Sequence, residues 1–247
     1  MRAGPGSNAP ARAVTIRPGR QYRTHVAQGN GAGQPAPDAE AGMTAEPTRE
    51  VLGLQLAVGD HICGFYRRPS ERDDIVIPFL IEGLKAGSKC TCVVDSCTPD
   101  DVLAKMSEQI EVDPYVSVSQ LEVLDSAGTY LADGGFLPER MLSFWEAKAR
   151  QSPAGDGTAR NIGDMSWAHR SEGMVSDLIG YENELNRIMS NFPQVNLCLY
   201  DLTRCSGELI MDVLKTHPKA LLGGMVIDNP YYLEPDEFVA SRLSQQA

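Results

Sequence analysis

Basic residues are the first thing this chain has little of. In 247 residues, 22 Lys plus Arg stand against 33 Asp plus Glu, a formal charge of −11. Long-range repulsion then argues against a direct nucleic-acid partner and against an anionic membrane surface. Long apolar runs are missing as well. No window approaches 18 uninterrupted apolar residues, so no helix is expected to span a bilayer. The chain does not open on a basic-then-apolar signal pattern, and the expected location is cytoplasmic. Cysteine is sparse at six, too few in a chain of this length for a disulfide scaffold, so a reduced compartment is the simplest setting.

Several chemical motifs are also missing. A phosphate loop needs glycines that turn successive backbone amides toward the phosphate, followed by Lys and Ser or Thr. After the first apolar run the chain instead reads Tyr66-Arg67-Arg68-Pro69-Ser70-Glu71-Arg72-Asp73-Asp74. Arg67, Arg68 and Arg72 could still grip one phosphate, but a standard P-loop ATPase is excluded. No G-x-S-x-G elbow is present, and nothing in the spacing favours a Cys63–His217–Asp201 arrangement, so an enzyme is not expected. Cys90-Thr91-Cys92, with Cys97 nearby and His61 and Cys63 as further candidates, is the one metal-like cluster. Zinc knuckles place their cysteines on a turn, whereas a C-x-C inside an apolar strand reads as buried small hydrophobes. Neither a metal nor a cofactor is expected.

What remains is orderly. Residues 1–46 are rich in Gly, Ala, Pro and Gln and carry about +2 of charge, a composition expected to form a disordered tail. Residues 47–247 are expected to form a single domain. Short β-branched runs (His61–Phe65, Lys89–Asp95, Gln120–Leu124, Asn161–Trp167, Val195–Tyr200, Ala220–Ile227) alternate with helical patterns. Ile75–Ala86 stops at Gly87, Thr98-Pro99-Asp100-Asp101 reads as a capped helix start, and Ser206 reads as another cap. Strict alternation predicts an α/β fold, a three-layer α/β/α sandwich with a mostly parallel sheet. Ligands in such sheets sit at the carboxyl ends of the strands. The residues found there, or beside them in aromatic company, are Tyr66, Asp95, Asp164, Trp167 and Tyr200. The helix from about Met174 carries Asp177, Tyr181, Glu184 and Asn186, read as a solvated face, with a partner face as the alternative.

Read together, the segments resemble a known family. Gly59-Asp60-His61-Ile62-Cys63-Gly64-Phe65-Tyr66 is followed by Pro78–Leu84, Cys92-Val93-Val94-Asp95, Tyr130–Gly134, and Asp164-Met165-Ser166-Trp167. Tyr181–Asn186, Cys198-Leu199-Tyr200-Asp201, Thr216-His217-Pro218 and Asn229-Pro230-Tyr231-Tyr232 complete the run. In this order they resemble the MEDS domain, the methanogen/methylotroph sensory domain of prokaryotic signalling proteins. The resemblance implies a RecA-like fold without a phosphate loop, related to the clock ATPases. It further implies a non-enzymatic sensor that binds a small ligand, with hydrocarbon derivatives the suggested class.

No output domain follows the resembling segment, so the expectation is signalling to a separate regulatory protein of kinase, anti-sigma or transcription-factor type. His61, Tyr66, Asp95, Asp164, Trp167, Tyr200 and His217 are the expected ligand rim: histidines as hydrogen-bonding groups, aromatics as walls, aspartates as polar anchors. A ligand-free interaction module in transcription or sigma-factor control, and a cysteine- or histidine-dependent enzyme, are the alternatives.

Overall fold

The computed structural model describes residues 49–51, 54–151, 158–189 and 191–245. The expected tail over 1–46 lies outside the described residues. A short antiparallel pair, β1 (Arg49–Val51) and β2 (Leu54–Leu56), precedes the sheet proper.

The strands and helices then alternate as β3 (His61–Tyr66), α1 (Pro69–Lys85), β4 (Cys90–Val94), α2 (Pro99–Ser107), α3 (Asp113–Ser117), β5 (Leu121–Asp125) and α4 (Pro138–Arg150). They continue with β6 (Ala159–Asp164), α5 (Glu172–Met189), β7 (Gln194–Asp201), α6 (Gly207–Thr216), β8 (Lys219–Leu222), β9 (Met225–Asp228) and α7 (Pro235–Gln245). One seven-stranded sheet results, in the order β5-β4-β6-β7-β3-β8-β9. All its pairings are parallel except β8–β9, which turns back through Gly223-Gly224. The α/β class and mostly parallel sheet are as expected.

Local chemistry explains the helix ends. Thr98 accepts from the Asp101 amide while the Asp101 carboxylate accepts from the Thr98 amide, a complete capping box. Ser206 caps α6 through the Leu209 amide. Helix α1 ends where Gly87 takes a φ of +81°, the left-handed conformation glycine adopts without steric cost. It begins at Pro69, not at Ile75. The apolar period starts late because the first turn is polar, yet Pro69 occupies the first helical position where its missing N–H costs nothing.

Each strand then serves two layers, because successive side chains alternate across the sheet. From β3 and β7, Ile62, Tyr66, Leu197 and Leu199 join α1 and α2 in one core. Cys63, Cys198 and Tyr200 join α4, α5, α6 and α7 in the other. Cys90 and Cys92 do share a side, but it is the α1 side, sealed in the apolar core and in a different layer from Cys63. The metal-like reading of that segment fails for this reason. Gly163 on β6 marks the tightest approach in the second layer: a Cβ there would lie 2.4 Å from the Tyr130 hydroxyl.

Candidate functional site

The expected single rim is not what the fold builds. The seven residues divide into three places, for a geometric reason. In a parallel α/β fold helices run opposite to strands, so a helix C-terminus lies near the amino ends of the strands.

Tyr66, Asp95 and Asp164 do stand at the carboxyl edge. Asp164, buried at the end of β6, accepts from the amides of Asp95 (3.2 Å) and Ser96 (2.8 Å), from the Ser96 hydroxyl (2.5 Å) and from the Ser166 amide (3.1 Å). Tyr66 meets the Ser166 hydroxyl at 3.2 Å, and burial, with the Asp164 charge, pushes its phenol up to about 12. Asp95 holds Arg170 and the Ser126 hydroxyl. These groups satisfy one another. Of the three arginines read as a phosphate grip, Arg68 is held by the Glu71 carboxylate, which also accepts from the Arg67 main-chain amide, and Arg72 is engaged by Asp73 and Ser96.

Trp167 is core. It lies in the two-turn 3-10 segment Met165–Arg170, fully buried, stacked on Tyr130 at 5.0 Å and against Phe136 at 4.3 Å.

His61, Tyr200 and His217 meet elsewhere, under α5 and α6. His61 opens β3 at its amino end, His217 follows α6, and their rings lie 4.1 Å apart. Between them projects Glu182 from the middle of α5, completely buried. Its Oε2 lies 3.2 Å from His61 Nε2 and 3.6 Å from His217 Nε2, and Oε1 accepts from the Tyr200 hydroxyl at 3.0 Å. Cys198, on β7, sets its sulfur 3.4 Å from His61 Nε2 and 3.5 Å from Glu182 Oε2. Asn186, one turn along α5, meets His61 Nδ1 at 2.9 Å, and Val213 O meets His217 Nδ1 at 2.8 Å.

The electrostatics follow from depth. Burial, reinforced by His61, drives the His217 imidazole down to about 3, so it is neutral. Burial opposes ionisation of Glu182, but the contact with His61, the neighbouring imidazoles and the Tyr200 hydroxyl outweigh it and hold the carboxyl below its usual value. The same burial, with the Glu182 charge, pushes the Cys198 thiol and the Tyr200 phenol well up.

Next to this cluster a small cavity of about 10 Å³, the scale of one water, is lined by Tyr130, Asn161, Gly163, Tyr181 and Cys198 among others. The hydroxyls of Tyr130 and Tyr181 lie beside one another, but neither makes a hydrogen bond of good geometry. Tyr181 therefore corrects the solvated-face reading of α5, since it is fully buried, while Asp177 on the same helix is exposed.

Sequence reasoning missed Glu182 and Cys198. A signal for the first was readable: Leu178, Glu182, Leu185 and Met189 recur at helical spacing, placing a carboxylate on the apolar stripe. Cys198 alternates with Leu197 and Leu199, and nothing local reveals that its face is the polar one.

Comparison with known proteins agrees with this architecture. Two solved structures from Pyrococcus horikoshii share the RecA-like fold. A KaiC-like protein matches with a TM-score of 0.51 at 13% identity, over 72% of this chain and 78% of its own. An uncharacterized protein, in complex with an unknown peptide, matches with a TM-score of 0.51 at 11% identity, over 71% and 83%. The transcriptional repressor DcmR of Methylorubrum extorquens is 29% identical over 170 residues, 68% of this chain. The match spans 62% of the repressor's own length. The family model for the methanogen/methylotroph, DcmR sensory domain matches residues 60–218, from the residue before β3 to the residue after His217. The chain belongs to the MEDS family of sensory domains.

Proposed function

We propose that this chain is the sensory element of a transcriptional control system. It binds a small ligand and passes its state to a separate regulatory protein, without catalysing a reaction. The observation that carries this reading is the match to the sensory-domain model across residues 60–218, supported by a relative that is a repressor. The acidic surface favours contact with a protein over direct contact with DNA. No helix among the described residues is long and apolar enough to cross a membrane.

The ligand locus best supported by the geometry is the aromatic–polar cavity between β6, β7 and α5, where two tyrosine hydroxyls stand unengaged beside apolar walls. The cavity has the volume of about one water, so a small hydrocarbon derivative, the class the family resemblance implies, enters only if the surrounding side chains move apart. The test is a thermal-shift and NMR titration with a panel of such compounds. A saturable response is expected, and Tyr181→Phe, which removes one hydroxyl at little packing cost, should weaken it about tenfold. No response to any compound, in a folded chain that still captures a regulatory partner, would replace this reading with the ligand-free interaction module. One observation favours that second reading: Leu222, Met225 and Ile227 expose apolar surface on the β8–β9 hairpin at the edge of the sheet.

A cysteine enzyme predicts a reactive thiol. The two half-buried thiols, Cys97 and Cys205, are both pushed up to about 11, by burial first. Each should therefore react about a hundredfold more slowly than a free thiol near pH 7.5, with a rate that climbs with pH. Stopped-flow labelling checks this, and one fast-reacting cysteine would reopen the enzyme reading.

A further inference from the structure

His61, Glu182, Cys198 and His217 each offer one ligand atom to a common point, all buried, with those atoms within 4.8 Å of one another. The hydrogen bonds behind them decide what they present to that point. The Asn186 amide group donates to the main-chain carbonyls of Thr216 (2.7 Å) and Glu182 (3.2 Å), which can only accept. Its Oδ1 therefore faces His61, and His61 Nδ1 must carry a proton and donate to it. Nδ1 of His217 likewise faces a carbonyl, that of Val213, and must donate.

In the neutral imidazoles both Nε2 atoms are then bare lone pairs, and both face Glu182 Oε2, which is itself an acceptor. The Cys198 thiol has one proton to share among them. A second proton on His61 would settle its contact with Glu182, yet His217 Nε2 would still face inward, fully buried and without a hydrogen-bond partner. Converging buried lone pairs without enough protons are what a cation relieves.

The separations indicate which cation. Tetrahedral zinc with bonds of about 2.0–2.1 Å to N and O and about 2.3 Å to S sets donor–donor edges of roughly 3.3–3.7 Å. Here the separations are 3.2 Å from His61 Nε2 to Glu182 Oε2, 3.6 Å from His217 Nε2 to the same oxygen, 3.5 Å from Cys198 Sγ to it, and 3.4 Å from His61 Nε2 to Cys198 Sγ. Two imidazoles, one thiolate and one carboxylate form a borderline-soft set that suits zinc, while magnesium and calcium require an oxygen shell. The charges also close, because a thiolate and a carboxylate neutralise a divalent ion at a depth where net charge is costly. Asn186 and the Val213 carbonyl supply the outer hydrogen bonds that orient metal-binding histidines elsewhere.

We propose that His61 Nε2, Glu182 Oε2, Cys198 Sγ and His217 Nε2 form a structural site for one zinc ion. All four positions are protein atoms. On binding, the Cys198 S–H bond breaks, its proton passes to solvent, and the thiolate takes its place on the metal. The site joins β3, α5, β7 and the end of α6, so loading accompanies folding. The proposal does not rest on the sensory reading: a zinc-containing chain that answers no small ligand would sink that reading alone.

The test uses the full chain, purified with a chelator wash, and elemental analysis. About one zinc per chain is expected. Cys198→Ser and His217→Gln should each lower zinc affinity about tenfold or more, while Cys97→Ser should leave it unchanged. In parallel, Co²⁺ titrated into the chelator-treated protein should give, at about one equivalent, intense tetrahedral visible bands with a thiolate charge-transfer band. That band should survive in Cys97→Ser. The wild-type cobalt spectrum decides the matter even if the ligand variants fail to fold. Zinc-free protein with no thiolate–cobalt band overturns the proposal, and so does stoichiometric zinc retained in folded Cys198→Ser and His217→Gln.

Discussion

Trp167→Ala is expected to lower the unfolding free energy by about 3–5 kcal/mol, the range for deleting a large buried aromatic. The ring is fully buried between Tyr130 and Phe136, with Tyr181 edge-on to both neighbours, so its loss opens a cavity in the middle of the second core. In a domain of this size that corresponds to a melting temperature lower by roughly 10 °C. A urea titration beside Tyr231→Ala checks it: Tyr231 is 57% exposed and its substitution should change stability by less than about 0.5 kcal/mol. A cost for Trp167→Ala below about 1 kcal/mol would mean that the ring is not core, and would return it to the role of a ligand wall.

The second large effect is expected at Asp164. Its carboxylate gathers the amides of Asp95, Ser96 and Ser166 and the Ser96 hydroxyl, all at the carboxyl edge of the sheet. Asp164→Ala leaves these donors facing a methyl group, the Ser166 amide buried and the Asp95 and Ser96 donors partly so; a buried donor without a partner costs about 1–3 kcal/mol, so a total loss of about 2–4 kcal/mol is expected. Asp164→Asn should recover more than half of that. Three of the donors converge on Oδ2 and only the Ser166 amide uses Oδ1, so the amide can keep its oxygen where it matters most. Equal losses for Ala and Asn would show that the negative charge, rather than the hydrogen-bond geometry, holds the edge together. Chemical denaturation of the three proteins separates the two.

Both expectations reverse what sequence position alone suggests for these residues. A tryptophan just after a strand reads as a pocket wall because ligands collect at strand ends in this topology. In the folded chain the 3-10 segment after β6 carries the ring into the second core, and Asp164, the last residue of the strand, keeps the edge. The direction of a turn depends on what it packs against, and the ring cluster of Tyr130, Phe136, Trp167 and Tyr181 is assembled from segments far apart in the chain.

 

What the sequence by itself determined here is local or periodic. Proline at the first helical position of α1, α2 and α4, the Thr98 and Ser206 caps, and the glycine after α1 all act within one turn of the residues that carry them. Apolar strands alternating with amphipathic helices fix the α/β class, since each element has one way to bury its apolar face. The order of motifs from Gly59 to Tyr232 carries the family. The tertiary structure alone decided which buried polar groups meet. His61, Glu182, Cys198 and His217 come from a strand start, a helix middle, a strand middle and a helix end, and no spacing links them. Their meeting depends on β7 pairing beside β3 in a register that sets Cys198 opposite Cys63, and on α5 and α6 packing over that face. Register and layer are set by long-range packing, and a shift of one residue would turn Cys198 to the opposite side of the sheet.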